Sequence, residues 1–393
     1  MTPEWLWICP RLRGQFFCAA LVLAGALPAQ AAPYRPVDDA QLLERLPAGL
    51  NGRMLRSVRA RTYDADVAAR LARAYIERGR RDADPRDFGY AQGLLAPWWQ
   101  DANPPLPVLL LRATLRQGRH DFPGALKDLD LYLAQRPADA QAWLTRATVM
   151  RVTGRYADAA VACERLQGLA APFVTELCRV SVAGFSGQLA ASYERMLRLR
   201  DASSAQASEI RSWMYAELGE MAERLAKPAE AQTHYLAGLA AAPGDHGLRA
   251  AYADLLLETG RGAQVPELVG DLDRVDALRL RHALALKSND AAGFQALDAQ
   301  IEAAYAAAHL RGEDLHLREE ARYALQAHGD AQRALVLAQA NWNIQHEPWD
   351  ARLLLMAAQA AAKPEAGNPV RLWLAQTRMQ DARLAPYLEL LAP

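Results

Sequence analysis

Several reactive side chains cluster in the sequence, and each group falls short of a working set. "GFSGQ" at 184–188 offers a serine in an elbow-like frame, but Gln188 stands where the sharp turn needs glycine and no strand-like run precedes it. "GRGAQV" at 260–265 lacks the third glycine and the preceding strand of a dinucleotide-binding turn. His316, Glu319 and Glu320 can share one helix face, where an imidazole and two carboxylates could ligate zinc. The same spacing is what a solvated helix surface shows, and the sequence has no paired-histidine zinc helix. Asp82, Asp84 and Asp87 miss the calcium-loop spacing and its closing glutamate. The expectation is a chain with no catalytic residues, no metal and no cofactor.

Two stretches offer contact chemistry instead. Arg53, Arg56, Arg59 and Arg61, followed by Arg70, Arg73, Arg78, Arg80 and Arg81, could attract an anionic lipid, polysaccharide or peptide. Asp64, Asp66, Glu77, Asp82 and Asp84 are interspersed among them, which favours an ordinary solvated helix face. In "APWWQDANPPLP", Trp98 and Trp99 could stack on sugars or prolines, or cover the end of a helix pair. Trp342 and Trp349 are expected to pack between the last helices.

The elements that must carry these residues are helices. Alanine, the strongest helix former, is abundant, aromatic residues make up 7%, and Gly/Pro punctuation recurs every thirty-odd residues. The first 31 residues read as a cleaved signal peptide: Arg11 and Arg13, an apolar run from Phe16 to Leu27, then the small-x-small site Ala29-Gln30-Ala31. That predicts a periplasmic or secreted protein of 362 residues (32–393) without stable membrane insertion after signal cleavage. The whole chain has 45 basic and 45 acidic residues; removing Glu4, Arg11 and Arg13 leaves 43 against 44, a charge of −1. Such balance argues against nucleic acid as a partner. Cys9 and Cys18 leave with the signal, so Cys163 and Cys178 remain as an even pair in an oxidising compartment.

A 34-residue frame runs through the chain. In the unit starting at Ala140, Trp143 holds position 4, Ala147 position 8, Gly154 position 15, Tyr156 position 17, Ala159 position 20 and Cys163 position 24. One stride earlier stand Leu109, Ala113, Phe122, Ala125 and Leu129, with Pro137 closing that unit. The frame returns at 212–245 with Tyr215, Gly219, Ala231, Tyr235 and Pro243, and continues with Ala253, Leu256 and Gly260. Residues 174–211 hold one unit with a four-residue insertion, and 64–105 one with a longer insertion after Gly79. Beyond 280 the frame degrades, with a final helix pair fitting 350–362 and 369–390.

These residues resemble the tetratricopeptide repeat, with its W-x2-L-G-x2-Y, A-x3-F and P pattern. The resemblance implies an all-α fold: antiparallel helix pairs stacked into a right-handed superhelical solenoid. Residues 32–63 would form a cap, 64–279 the repeats, and 280–393 degenerate repeats with a C-terminal cap. It further implies a non-catalytic scaffold that binds a protein or peptide partner in a concave groove. The groove positions carry over to Gln117, Gln141, Thr148, Arg151, Trp213, Glu220, Arg224, Asp254 and Glu258. The lysine/asparagine clamp for a C-terminal carboxylate is absent: Leu144, Thr145 and Thr148 stand at its positions in one unit, Ala216, Glu217 and Glu220 in another. In the frame Cys163 faces the next unit's first helix, where Cys178 lies, so a disulfide between them is expected over two buried thiols. Two other roles stay open. One is a structural subunit of envelope or polysaccharide-export machinery; the other is a cryptic enzyme or metal site in the C-terminal half, disfavoured because no nucleophile, base and orienting group form a set.

Overall fold

The computed structural model describes residues 64–272, 275–310 and 316–389, together with Asp38. The signal segment and nearly all of the 32–63 segment lie outside the described residues. Every regular element among the described residues is helical, so the fold is all-α. The helices are α1 (Ala65–Asp82), α2 (Pro85–Leu94), α3 (Leu106–Gly118), α4 (Phe122–Gln135), α5 (Ala140–Val152), α6 (Tyr156–Glu164), α7 (Pro172–Ala183), α8 (Leu189–Asp201), α9 (Ser208–Arg224) and α10 (Pro228–Ala241). They continue with α11 (His246–Glu258), α12 (Val265–Val269), α13 (Asp276–Leu286), α14 (Ala291–Leu310), α15 (Leu317–Tyr323), α16 (Ala331–Trp342), α17 (Pro348–Ala360), α18 (Asn368–Thr377) and α19 (Ala385–Glu389). None of them is long and apolar enough to cross a membrane.

The 34-residue stride is written into the backbone. His120, Gly154, Ala226, Gly260 and Ala362 all have positive φ just beyond the end of a helix. The residue after each donates its N–H five residues back: Asp121 to Arg116, Arg155 to Met150, Lys227 to Ala222, Arg261 to Leu256 and Lys363 to Ala358, at 2.8–2.9 Å. This left-handed cap satisfies carbonyls that the helix end would otherwise orphan. The steps 120 to 154 and 226 to 260 are one stride each, and 260 to 362 is three.

Packing follows the same frame. The small residues Ala113, Ala147, Ala253, Ala125, Ala159 and Ala231 are buried, as are Leu129, Cys163 and Tyr235 at position 24. At Gly219 the approach is closest: a Cβ there would lie 2.1 Å from Tyr235 Cε1, so only glycine lets α9 and α10 meet over that ring. The sulfurs of Cys163 on α6 and Cys178 on α7 are bonded, with Cα atoms 5.6 Å apart.

Four expectations need correction. There is no insertion after Gly79; α1 runs on to Asp82 and turns at Ala83, and the extra residues lie in the 95–105 connection. Arg112 draws in that connection by donating to the carbonyls of Trp98, Trp99 and Asp101 while pairing with the buried Asp128. The unit starting at His246 has no full second helix: Pro266 opens the short α12, which ends at Gly270 with φ 53°. The last helix does not run to 390. Arg378 turns left-handed (φ 58°), Asp381 caps a new turn, and Pro386 lies in α19. Trp349 does not pack between the last helices as Trp342 does; it lies between the guanidinium groups of Arg322 and Arg352, at 4.6 and 5.1 Å.

The C-terminal part of the chain touches α5, α8, α9 and α11 at several points, and beyond the break at Arg378 Gln380 and Arg383 join them. His346 N–H donates to Val152 O at 2.7 Å, Gln380 Oε1 accepts from Leu189 N–H, and Arg352 pairs with Glu258 at 2.5 Å. Tyr156 and Phe185 share one apolar core with Trp342, Leu354 and Trp373. These contacts join residues about 90 to 190 positions apart.

Candidate binding site

A cavity of about 650 Å³ lies between α5, α7, α9 and α11 on one side and α13, α15 and α17 on the other. Leu144, Ala147, Val182 and Ala216 form an apolar wall, with Trp213 and Trp349 beside them. Four arginines (Arg151, Arg281, Arg318, Arg383) and five carboxylates (Glu217, Glu220, Glu223, Asp254, Glu347) add charge to the lining. Such charge in a confined space is tolerable because most of these groups satisfy one another.

Asp254 accepts from Arg281 at 2.9 and 2.7 Å and from Arg322 at 2.6 Å. Burial alone would raise its carboxyl, but the two guanidinium groups hold it below the ordinary value. Arg318 forks onto Glu347 (2.6 Å) and Asp350 (2.6 and 3.0 Å), and Asp350 also closes a capping box at the start of α17. Glu223 accepts from Arg383 and from the Tyr235 hydroxyl, both at 2.5 Å. Its burial outweighs both partners and pushes the carboxyl up to about 7.

Arg151 and Glu220 differ from the rest. Arg151 approaches Glu217 only at 3.6 Å, and Glu217 already accepts from Trp213 Nε1 at 3.2 Å. The nearest cation to Glu220 is Arg224 Nη1, 3.9 Å away, beyond hydrogen-bond reach. That Arg224 nitrogen is buried without a hydrogen-bond partner. Burial raises the Glu220 carboxyl, Arg224 opposes this, and Glu217 adds to it. Burial works against the charge of Arg151, but Glu217, Glu347 and Glu220 together raise its pKa.

The structure brings Thr148, Arg151, Trp213, Glu220 and Asp254 together in this one cavity. Gln117 lines a neighbouring cavity of about 380 Å³, with His120, Val152, Tyr305 and His316; Arg318 and Glu347 border both. Gln141 is exposed at the start of α5, where its amide lies 3.4 Å from Thr145 Oγ1. Arg224 and Glu258 are taken up by the chain itself. Arg224 donates to Gln380 O and Gly184 O and lies over Phe185 at 4.4 Å, and Glu258 holds Arg352. Arg281, Arg318, Glu347, Trp349 and Arg383 come from the part of the chain where the frame is weak. Nothing in their spacing announces a site.

Several other groups resolve into ion pairs. Glu320 is buried and takes Arg333 and His309, while His316 and Glu319 line the second cavity, so the three do not converge on one point. Asp298, Glu302 and His328 bring three ligand atoms within 4.8 Å of one another and could hold a cation; there His328 and Arg333 already sit against the carboxylates. Trp98 and Trp99 pack against the first helix pair. Comparison with family models and with curated protein sequences gives no significant match.

Proposed function

We propose that this is an exported, non-catalytic binding protein of tetratricopeptide type, whose ligand enters the cavity between the repeat helices and the C-terminal helices. The observation that carries the reading is the cavity itself. About 650 Å³ falls in the usual range for ligand sites, roughly 300–1,000 Å³, and its wall combines two indoles, an aliphatic face and convergent charges. Residues of the C-terminal helices line the cavity together with the repeat helices, and its size favours a short peptide or chain end. Cys178 in the wall is spent in a disulfide, and most cavity charges are in ion pairs, which supports binding over catalysis.

Peptides of two to six residues, titrated against the mature protein, test this by thermal shift and by quenching of Trp213 and Trp349. Binding should occur and should be lost in Ala216→Trp, which fills the cavity. Equal affinity in that variant, or no binding by any member, would overturn the proposal.

A further inference from the structure

Among the charged residues lining the cavity, Arg151 and Glu220 are the two whose charge the protein leaves least satisfied. The Arg151 guanidinium lies over the Phe185 ring at 5.0 Å, but of its five donors none has a carboxylate within hydrogen-bond reach: the closest oxygen is 3.6 Å away on a Glu217 that already holds Trp213. Its side chain keeps 20% of its surface open, and that of Glu220 keeps 33%, both onto the cavity. The neighbouring charges show the contrast. Asp254, Glu223 and Glu347 each accept arginine bonds of 2.5–2.9 Å. Both line the same cavity, one positive group and one negative.

Resting on the binding reading above, we propose that the cavity recognises a small zwitterion: an α-amino acid or a dipeptide with both ends free. Arg151 takes the carboxylate and Glu220 takes the ammonium. A planar guanidinium suits a carboxylate bidentately, and a half-buried carboxylate without hydrogen bonds suits an ammonium with three donors. The ligand's apolar part lies against Leu144, Val182 and Trp213. Binding completes the hydrogen bonds of both groups, whereas a ligand of single charge covers one of them and leaves it unmatched. Thr148 and Ser181, also in the wall, are small enough to leave the carboxylate room.

The test is a titration of leucyl-leucine in four end states: free, N-acetylated, C-amidated and capped at both ends. The free dipeptide should bind, and each cap should weaken binding about tenfold or more, the scale of one unpaired buried charge. Arg151→Gln should remove the penalty for amidation while keeping that for acetylation; Glu220→Gln should do the reverse. That crossed pattern separates recognition from a loss of folding. Equal affinity for free and doubly capped dipeptide would overturn the zwitterion while leaving cavity binding intact. Binding of hexapeptides without binding of any dipeptide would do the same. Failure of both would overturn both.

Discussion

Asp254 is a buried tie between the repeat helices and the C-terminal helices. It sits on α11 with its side chain 6% exposed, and accepts from Arg281 of α13 and Arg322 of α15 through three bonds of 2.6–2.9 Å. Asp254→Asn keeps the shape, removes the charge, and turns one acceptor into a donor facing a guanidinium. Two buried cations then share one carbonyl oxygen. Breaking a buried pair on one side costs about 3–5 kcal/mol, a large part of the roughly 5–15 kcal/mol that holds a domain folded. The variant should lose that amount in urea unfolding, melt several degrees lower, and exchange amide hydrogens faster across 317–389. Adding Arg322→Gln removes one stranded charge and should recover part of the loss. A change below about 1 kcal/mol, the range of an exposed pair, would refute the argument that this triad is buried and fastens the two parts together.

Further expectations follow the same logic. Reducing the protein, or making Cys163→Ser with Cys178→Ser, should cost about 3 kcal/mol for a 15-residue loop, read by urea unfolding. Ala226→Gly should stabilise by roughly 0.5–1 kcal/mol, because the residue's φ of 57° suits glycine; a loss would place the strain elsewhere. Gly219→Ala should destabilise by about 1–3 kcal/mol, since its Cβ meets the Tyr235 ring; a neutral result would refute the close crossing of α9 and α10. Glu223 has a folded pKa of about 7, above its unfolded value, so its charge is a cost at high pH that is relieved as pH falls through 7. Stability should therefore rise from pH 8 towards 5, and Glu223→Gln should flatten that rise. Asp254 has the opposite sign: its lowered pKa gives stability that is present above the unfolded value and lost as pH falls through the folded one.

The helix pairs were legible because their determinants are local. Ala147, Ala159 and Gly154 sit within a 34-residue window, and each sets a contact or a turn inside that window. His120 and Ala226 show where the pattern hides: they adopt the same left-handed turn as Gly154 without being glycine, because the helix-end hydrogen bonds hold them there. The cavity was legible only on one side. Thr148, Arg151, Trp213, Glu220 and Asp254 share the frame, but Arg318, Glu347, Trp349 and Arg383 reach it through a fold-back that no periodicity encodes. That fold-back rests on pairs such as Arg383 with Glu223, 160 residues apart, and Arg352 with Glu258; the turn at Arg378 that precedes Arg383 lacks the glycine or proline that would mark it.

If the repeat helices and the C-terminal helices build one binding site jointly, amide hydrogen exchange with and without a bound short peptide reads it directly. Protection should appear together in 208–224 and in 347–360, the two walls that carry Glu220 and Trp349. Protection confined to one wall, or to helices away from the cavity, would contradict it.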